Sequence, residues 1–315
     1  MNRSAELSGT NPLVSVVIAT FHRPGPLAHC IDSIRKGTYQ NFEVVVVDDA
    51  SDPETEALVT DQHQENIRYV RHARRTMTAQ ALNDGIRVSN GEIIVLTGDD
   101  NILDAGALAG FVHTFLQDPK VGWVGAVVYY LEQPDLIHSA GTFVTPVTRQ
   151  LVTIAENTRD RGQLSSPYDV EIVDGCMAVR SSVLKITGLL DSERLPFYHE
   201  TSSLQLVAGR AGYRIVIDPS IRAWHDLPIT AGHERALRSP LRAYYMMRSR
   251  IFFERYYDTP LHKAVFGLFI PAYFLRNLLQ VLFLNAPSKA KSDVALALVR
   301  GTADGLRGHS GITIF

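Results

Sequence analysis

Asp99 and Asp100 stand side by side at the end of an apolar run, Glu92-Ile93-Ile94-Val95-Leu96, separated from it only by Thr97 and Gly98. Such a run reads as a buried strand, so the two carboxylates lie where that strand must leave its sheet. Adjacent negative groups in that position repel each other unless a cation or a ligand's donors share them. A divalent metal on Asp100 would satisfy that need. Capping of a helix is the competing role, because 105–117 has helical spacing just beyond Asp104, and this stretch alone does not separate the two.

Two further apolar runs end in the same abrupt way. Val14-Ser15-Val16-Val17-Ile18-Ala19 runs into Thr20-Phe21-His22-Arg23-Pro24, and Phe42-Glu43-Val44-Val45-Val46-Val47 runs into Asp48-Asp49-Ala50-Ser51. Between them, 27–35 has helical spacing at Leu27, Cys30, Ile31 and Ile34; a helix over 54–64, a short strand over 67–71 and a helix over 78–89 follow. Strand and helix alternating at this spacing predict an α/β fold with a doubly wound, mainly parallel sheet. Thr20, Asp49 and Asp100 then leave strands at one edge and face one crevice. Neither a G-x-G-x-x-G turn nor a Walker loop is present, so any bound phosphate needs another counter-charge, which a metal on Asp100 would provide.

Beyond residue 117 the pattern loosens. A long strand is expected over 121–130, a hairpin over 137–148, a polar loop over 150–167, a strand over 170–180, helices over 181–187 and 200–211, and a last strand over 213–217 stopped by Asp218-Pro219. The 315 residues are 45% hydrophobic with a formal net charge of −2, which excludes a disordered chain and gives no global field for nucleic acid. Cys30 and Cys176 lack metal-ligand spacing and a disulfide framework, which fits a reducing cytoplasmic setting. Residues 1–11 read as a loose polar tail. The final quarter differs: 239–257 mixes arginines with aromatics, and 264–284 is almost wholly apolar, broken by Pro271, Arg276, Asn277 and Gln280. That length can cross a bilayer, but a central Arg costs roughly 2.5–3.5 kcal/mol on insertion scales. A helix pair in a membrane interface is therefore expected, with a buried helical hairpin or a dimer contact as the alternative.

The stretches Val14–Phe21, Val45–Asp52, Ala81-Leu82-Asn83-Asp84-Gly85-Ile86, Gly98-Asp99-Asp100-Asn101, Asp174-Gly175-Cys176-Met177-Ala178-Val179-Arg180 and Gly212-Tyr213-Arg214-Ile215 with Trp224-His225 occur in this order. Together they resemble the family 2 glycosyltransferases, inverting nucleotide-sugar enzymes of the GT-A fold, and among them the bacterial and archaeal rhamnosyl- or galactosyl-type polysaccharide enzymes. The resemblance spans residue 12 to about 224. It implies a GT-A domain over 12–238, with a Rossmann-like nucleotide half (12–101) and an acceptor half (102–238), then a C-terminal helical extension (239–315) that associates with a membrane or packs on the domain.

Carried onto this sequence, the resemblance assigns Ala19, Thr20, Phe21, Arg23, Asp49, Arg75, Asn83 and Asp99 to the nucleotide sugar. Asp49 would accept the pyrimidine N3–H, favouring UDP or dTDP, and Asp99 would meet the ribose. Asp100 and His225 would hold Mn2+ or Mg2+, with Gly98 where many relatives carry a first Asp. Asp174, Gly175, Cys176 and His199 would line the acceptor site. Relatives place Glu-Asp, the Asp serving as base, where this chain has Glu200-Thr201, so Glu200 becomes the expected catalytic base, with Asp191, Glu193 and His199 as substitutes. The implied partners are a nucleotide-sugar donor, a glycan or lipid-linked acceptor and a membrane surface, with no nucleic acid and with homo-oligomerisation left open. The implied location is the cytoplasmic, inner face of the cell membrane. Thr201 keeps a second reading open, a catalytically impaired nucleotide-sugar-binding or assembly module.

Overall fold

Four apolar runs form the parallel half of the central sheet: β1 (Val14–Thr20), β2 (Phe42–Asp48), β3 (Ile67–Arg71) and β4 (Ile93–Gly98), in the order β3-β2-β1-β4. This is a computed structural model, and it describes residues 7, 9–51, 53–60, 66–229 and 236–313. Central strands β1 and β4 are covered on both faces, which is why they read as continuous apolar runs. Helices α1 (Pro24–Arg35), α2 (Pro53–Thr60) and α3 (Thr78–Val88) make the crossovers. The expected continuation of α2 over 61–64 lies outside the described residues, as do 1–6 and 8 of the tail. Thr20 pairs with Asp48, and Ala19 with both Val47 and Gly98. Register alone therefore gathers the three loops.

The second half interleaves β5 (Asn101–Leu103), α4 (Ala107–Gln117), β6 (Val121–Tyr130), β7 (Ile137–Ser139), β8 (Thr142–Val144), β9 (Leu151–Thr153), β10 (Tyr168–Asp169), β11 (Cys176–Arg180), α5 (Ser181–Thr187), α6 (Glu200–Arg210) and β12 (Arg214–His225). Strand β11 is antiparallel between β4 and β6, and β12 lies parallel to β6 on its other side. Several expectations change: β7 pairs with β6 and β8 with β9, so 137–148 is not a hairpin of its own, and the strand expected over 170–180 begins only at Cys176. Strand β12 does not stop at Asp218-Pro219: a register shift between Asp218 and Arg222 absorbs the proline, and the strand continues to His225. The polar segment 150–167 is partly a strand, since β9 pairs with β8 and Ile137 N–H donates to Thr158 O at 2.9 Å.

Apolar side chains fill both faces of the sheet. One core joins α1 and α4 to the sheet, the other joins α3, α5 and α6. Gly85 sits where α3 crosses β1 and β2; a Cβ there would come within 2.3 Å of Val17 Cγ1 and 3.0 Å of Val47 Cγ2.

The C-terminal helices divide the expected membrane pair. Helix α7 (Pro240–Tyr257) is buried along most of its length, so it packs on the domain rather than lying in an interface. Its Arg248 is fully buried yet donates to Gly311 O and Glu193 O, and Arg250 pairs with Glu254. Arg149, from the turn after β8, enters the same cluster through Glu254 and Asp258. Helix α8 (Pro260–Phe283) is largely exposed, and α9 (Ser288–Arg307) returns to pack on α7, Gly301 lying directly against Tyr244 O.

Gly85→Ala is expected to lower stability by about 1–3 kcal/mol through overpacking. A denaturant midpoint unchanged from wild type would show that α3 can lift from β1 at little cost.

Candidate active site

The turn from β4 into β5 delivers the carboxylate pair, and the pairing of β5 with β12 places His225 opposite Asn101. The backbone closes the turn, Asp226 N–H donating to Asp100 O at 2.8 Å. Every oxygen of the pair has a donor from the chain. Thr20 Oγ1 donates to Asp99 Oδ2 at 2.7 Å, His225 Nε2 lies 3.2 Å from Asp100 Oδ1, and Arg23 Nη1 reaches Asp99 Oδ1 at 2.9 Å and Asp100 Oδ2 at 2.7 Å. Burial pushes Asp99 up to about 6 against the pull of Arg23 and Thr20. For Asp100 burial also raises, but the His225 hydrogen bond and charge, with Arg23, overcome it and hold the carboxyl well below the usual range. The two aspartates thus differ in proton affinity although they are neighbours.

Gly98 has a local reason. A Cβ there would stand 2.7 Å from Asp100 Oδ1, so a side chain would displace the carboxylate oxygen that faces His225. His138, on β7, was not singled out from the sequence. Its ring meets His225 edge-on at 5.2 Å between centroids, and burial, then the His225 charge, lowers its proton affinity. The only sequence signal for it was its place in the predicted hairpin.

No three His, Cys, Asp or Glu side chains among the described residues gather into a metal cage. The side chains that do meet are Asp100 and His225, 3.2 Å apart at Oδ1 and Nε2, and His225 Nδ1 is buried without a partner. That set fits a hard divalent cation which takes its other ligands from water and phosphate.

Asp49 anchors the neighbouring loop. Its Oδ1 accepts from Thr76 N–H at 2.6 Å and Thr76 Oγ1 at 2.7 Å and lies 2.9 Å from His72 Nδ1, while Oδ2 accepts from Met77 N–H at 2.8 Å. Capacity for one further hydrogen bond remains on Oδ2. Arg75 lies over the Phe21 ring at 4.1 Å, forming a flat cationic wall beside Thr20 and half-buried Ala19. His22 and Ala50, in the loops after β1 and β2, and Met77, whose N–H donates to Asp49, all have positive φ.

On the acceptor side, Asn101 Nδ2 donates to Gly175 O at 3.2 Å, which ties the 174–175 turn to the carboxylate loop, and Thr142 Oγ1 of β8 donates to Asp174 Oδ2 at 3.3 Å. Glu200 opens α6. The residue is half-buried, but its Oε2 is buried without a partner, and burial pushes the carboxyl up to about 7, partly offset by a backbone hydrogen bond. The alternatives recede. Asp191 is held low against its burial by Tyr257 and Arg194, Glu193 accepts from Ser310, and the His199 ring stacks on Phe253 of α7 at 4.9 Å. Burial and the Arg250 charge push His199 down to about 3, so it packs as a neutral ring rather than reaching an acceptor.

Two further expectations are corrected. Cys176 is fully buried in the same core cluster as Cys30, beneath Gly98, and does not line a pocket. Asn83 is buried and uses both ends of its amide on Leu190, donating to its O at 2.8 Å and accepting its N–H at 2.9 Å. It joins α3 to the loop before α6, and at 2% exposure its side chain serves the fold.

A family model described as Glycosyl transferase family 2 matches residues 15–186. The uncharacterized protein y4gI of Sinorhizobium fredii is 29% identical over 240 residues, covering 72% of this chain and 26% of that protein. The GalNAc(5)-diNAcBac-PP-undecaprenol beta-1,3-glucosyltransferase of Campylobacter jejuni is 28% identical over 115 residues, 33% of this chain and 37% of that one. This chain thus spans about a quarter to a third of the length of these curated relatives. Among solved structures, the mannosyltransferase PcManGT of Pyrobaculum calidifontis, in complex with GDP-Man and Mn2+, superposes with a TM-score of 0.60 at 20% identity, covering 95% of this chain and 88% of that one. The fold is that of the GT-A glycosyltransferases.

Asn83→Ala should cost about 1–3 kcal/mol by leaving buried Leu190 groups unpaired, with donor affinity unchanged. Isothermal titration of the folded variant with a nucleotide sugar checks this; a large loss of affinity at unaltered stability would return Asn83 to the ligand site.

Proposed function

This chain belongs to glycosyltransferase family 2, and from that premise we propose that it catalyses inverting, metal-dependent transfer of a sugar from UDP or dTDP to a hydroxyl of a lipid-linked or polysaccharide acceptor. The observation that carries the proposal is the convergence of Thr20, Arg23, Asp99, Asp100 and His225 through side-chain contacts at one sheet edge. The Campylobacter relative is named for a diphosphoundecaprenol-linked glycan, which supports a lipid-linked acceptor, and the Pyrobaculum complex contains Mn2+, which supports a divalent ion.

The residues divide the work. Phe21 and Arg75 receive the base and its phosphates, the remaining acceptor capacity of Asp49 suits the N3–H of uracil or thymine, and Asp99 suits a ribose hydroxyl. Asp100 and His225 would hold Mn2+ or Mg2+, which supplies positive charge to the departing diphosphate. Arg23 adds a guanidinium suited to phosphate oxygens. Glu200 Oε2 accepts the proton of the acceptor hydroxyl as that oxygen bonds to the anomeric carbon and the bond to the diphosphate breaks, inverting the centre in one displacement.

The outer face of α8 supports a place at the cytoplasmic membrane face. Leu261, Leu268, Leu275, Leu279, Leu282 and Phe283 form an exposed stripe along it, Leu268 at 81% and Phe283 at 86% exposure. No acidic residue occurs from 259 to 292, whereas Lys263, Arg276, Lys289 and Lys291 do. A second copy seated on this stripe would bring like charges together; anionic lipid would neutralise them.

Glu200→Gln should lower transfer by roughly 10^2- to 10^4-fold while leaving donor binding intact. Wild-type transfer should rise as pH passes through about 7, because the base must be ionised. The stability contribution has the opposite sign: it is present below the ordinary value of 4.5 and lost as pH rises through about 7. Near-normal turnover in this variant would move the base elsewhere, and a wild type that binds donor without transfer or donor hydrolysis would leave the binding-module reading. Separately, wild type should sediment with phosphatidylglycerol vesicles and a Leu268→Glu, Leu275→Glu double variant should not; equal sedimentation of both would remove α8 from the membrane.

A further inference from the structure

Arg23 differs from the other groups that hold the carboxylate pair. Thr20 ends β1 and His225 ends β12, so both are fixed by the sheet, whereas Arg23 lies in the loop before α1 and its side chain is 33% exposed. Its backbone is confined between left-handed His22 and Pro24, the first residue of α1, so any adjustment falls to the side chain. One nitrogen, Nη1, bridges Asp99 Oδ1 and Asp100 Oδ2. The guanidinium therefore occupies the oxygens that a divalent cation on this pair would need, and it supplies the positive charge that lets two buried carboxylates coexist.

We infer that Arg23 is a resident counter-cation that competes with the divalent ion for Asp100 and releases it when a nucleoside diphosphate offers the guanidinium a better anion. The inference rests on the metal-dependent reading above and adds an order to it. With Arg23 in place, two carboxylates and one guanidinium carry a net charge of −1, a weak attraction for a hard cation that gives up its water reluctantly. A diphosphate changes both sides of the balance: it supplies oxygens to the ion and accepts the planar fork of the arginine. Ion and nucleotide then bind with positive coupling, and linkage requires each to tighten the other by the same factor. Arg23 returning to the pair after transfer would help the diphosphate and its ion to leave.

The test is electron paramagnetic resonance titration of the full chain with Mn2+, alone and with UDP, dTDP or GDP, for wild type, Arg23→Met and Arg23→Lys. Wild type should bind Mn2+ weakly alone and at least on the order of tenfold more tightly with the preferred nucleotide. Arg23→Met should bind Mn2+ alone on the order of tenfold more tightly than wild type, with less gain from nucleotide, and Arg23→Lys should stay near wild type. Arg23→Met binding Mn2+ alone no more tightly than wild type would overturn the inference. A wild type that binds no Mn2+ with any of the nucleotides would instead overturn the metal-dependent reading beneath it. Because the variant exposes the carboxylates to mutual repulsion, its melting temperature is read with and without Mn2+: a larger Mn2+-induced rise than in wild type supports the competition. An equal or smaller rise, or failure to fold in saturating Mn2+, shows that the ion cannot replace the guanidinium and ends the inference.

Discussion

Two carboxylates buried side by side at the edge of a parallel sheet are the constraint around which this molecule is arranged. Neighbouring like charges in a low-dielectric place are tolerated only when each oxygen has a donor, and here the donors come from two distant parts of the chain, the end of β1 with the loop after it and the end of β12. Thr20 ends the central strand, Arg23 opens the first crossover helix and His225 closes the last long strand. The sheet order, the crossovers and the β5–β12 pairing all bear on whether those donors arrive. The site and the fold share one set of contacts.

The parallel half was legible because its signals are local and its geometry is general. Continuous apolar runs ending in Thr20, Asp49 and Asp100, with helices between them, fit parallel strands with their loops at one edge, and the register puts β2 and β4 on either side of β1. His225 was legible as a residue of the family pattern but not as a strand end, because Pro219 reads as a stop and only the partner strand shows that a bulge absorbs it. Asn83 and Cys176 sit within recognisable stretches, yet one is an amide clamp on Leu190 and the other a core thiol. A motif fixes the neighbourhood of a side chain without fixing which way its polar atoms face.

Helix α7 misled for a related reason. Arginines alternating with aromatics suggest a membrane interface, but here the stems pack and the guanidinium groups find carbonyls and carboxylates inside the protein. Composition alone cannot distinguish an arginine bound to a lipid phosphate from one bound to Gly311 O. Helix α8, by contrast, has a stripe with few internal partners, and its lack of acidic residues is visible directly in the sequence.

The return of α9 onto α7 places the exposed helix inside a closed loop of structure. Gly301 lies against Tyr244 O, Tyr244 donates to Asp304, and Thr313 N–H reaches the Tyr245 hydroxyl. Helix α8 is therefore held at both ends, by Asp258 and by α9, and along its inner face, where Phe266, Asn277 and Val281 are buried and Val281 joins Tyr244 and Met247 of α7 in one core cluster. Cutting the chain before α8 would also strip α9 from the buried face of α7. Removing α8 alone would likewise take Phe266 and Val281 out of the core, so its outer stripe is changed without loss of packing only by resurfacing the helix in place.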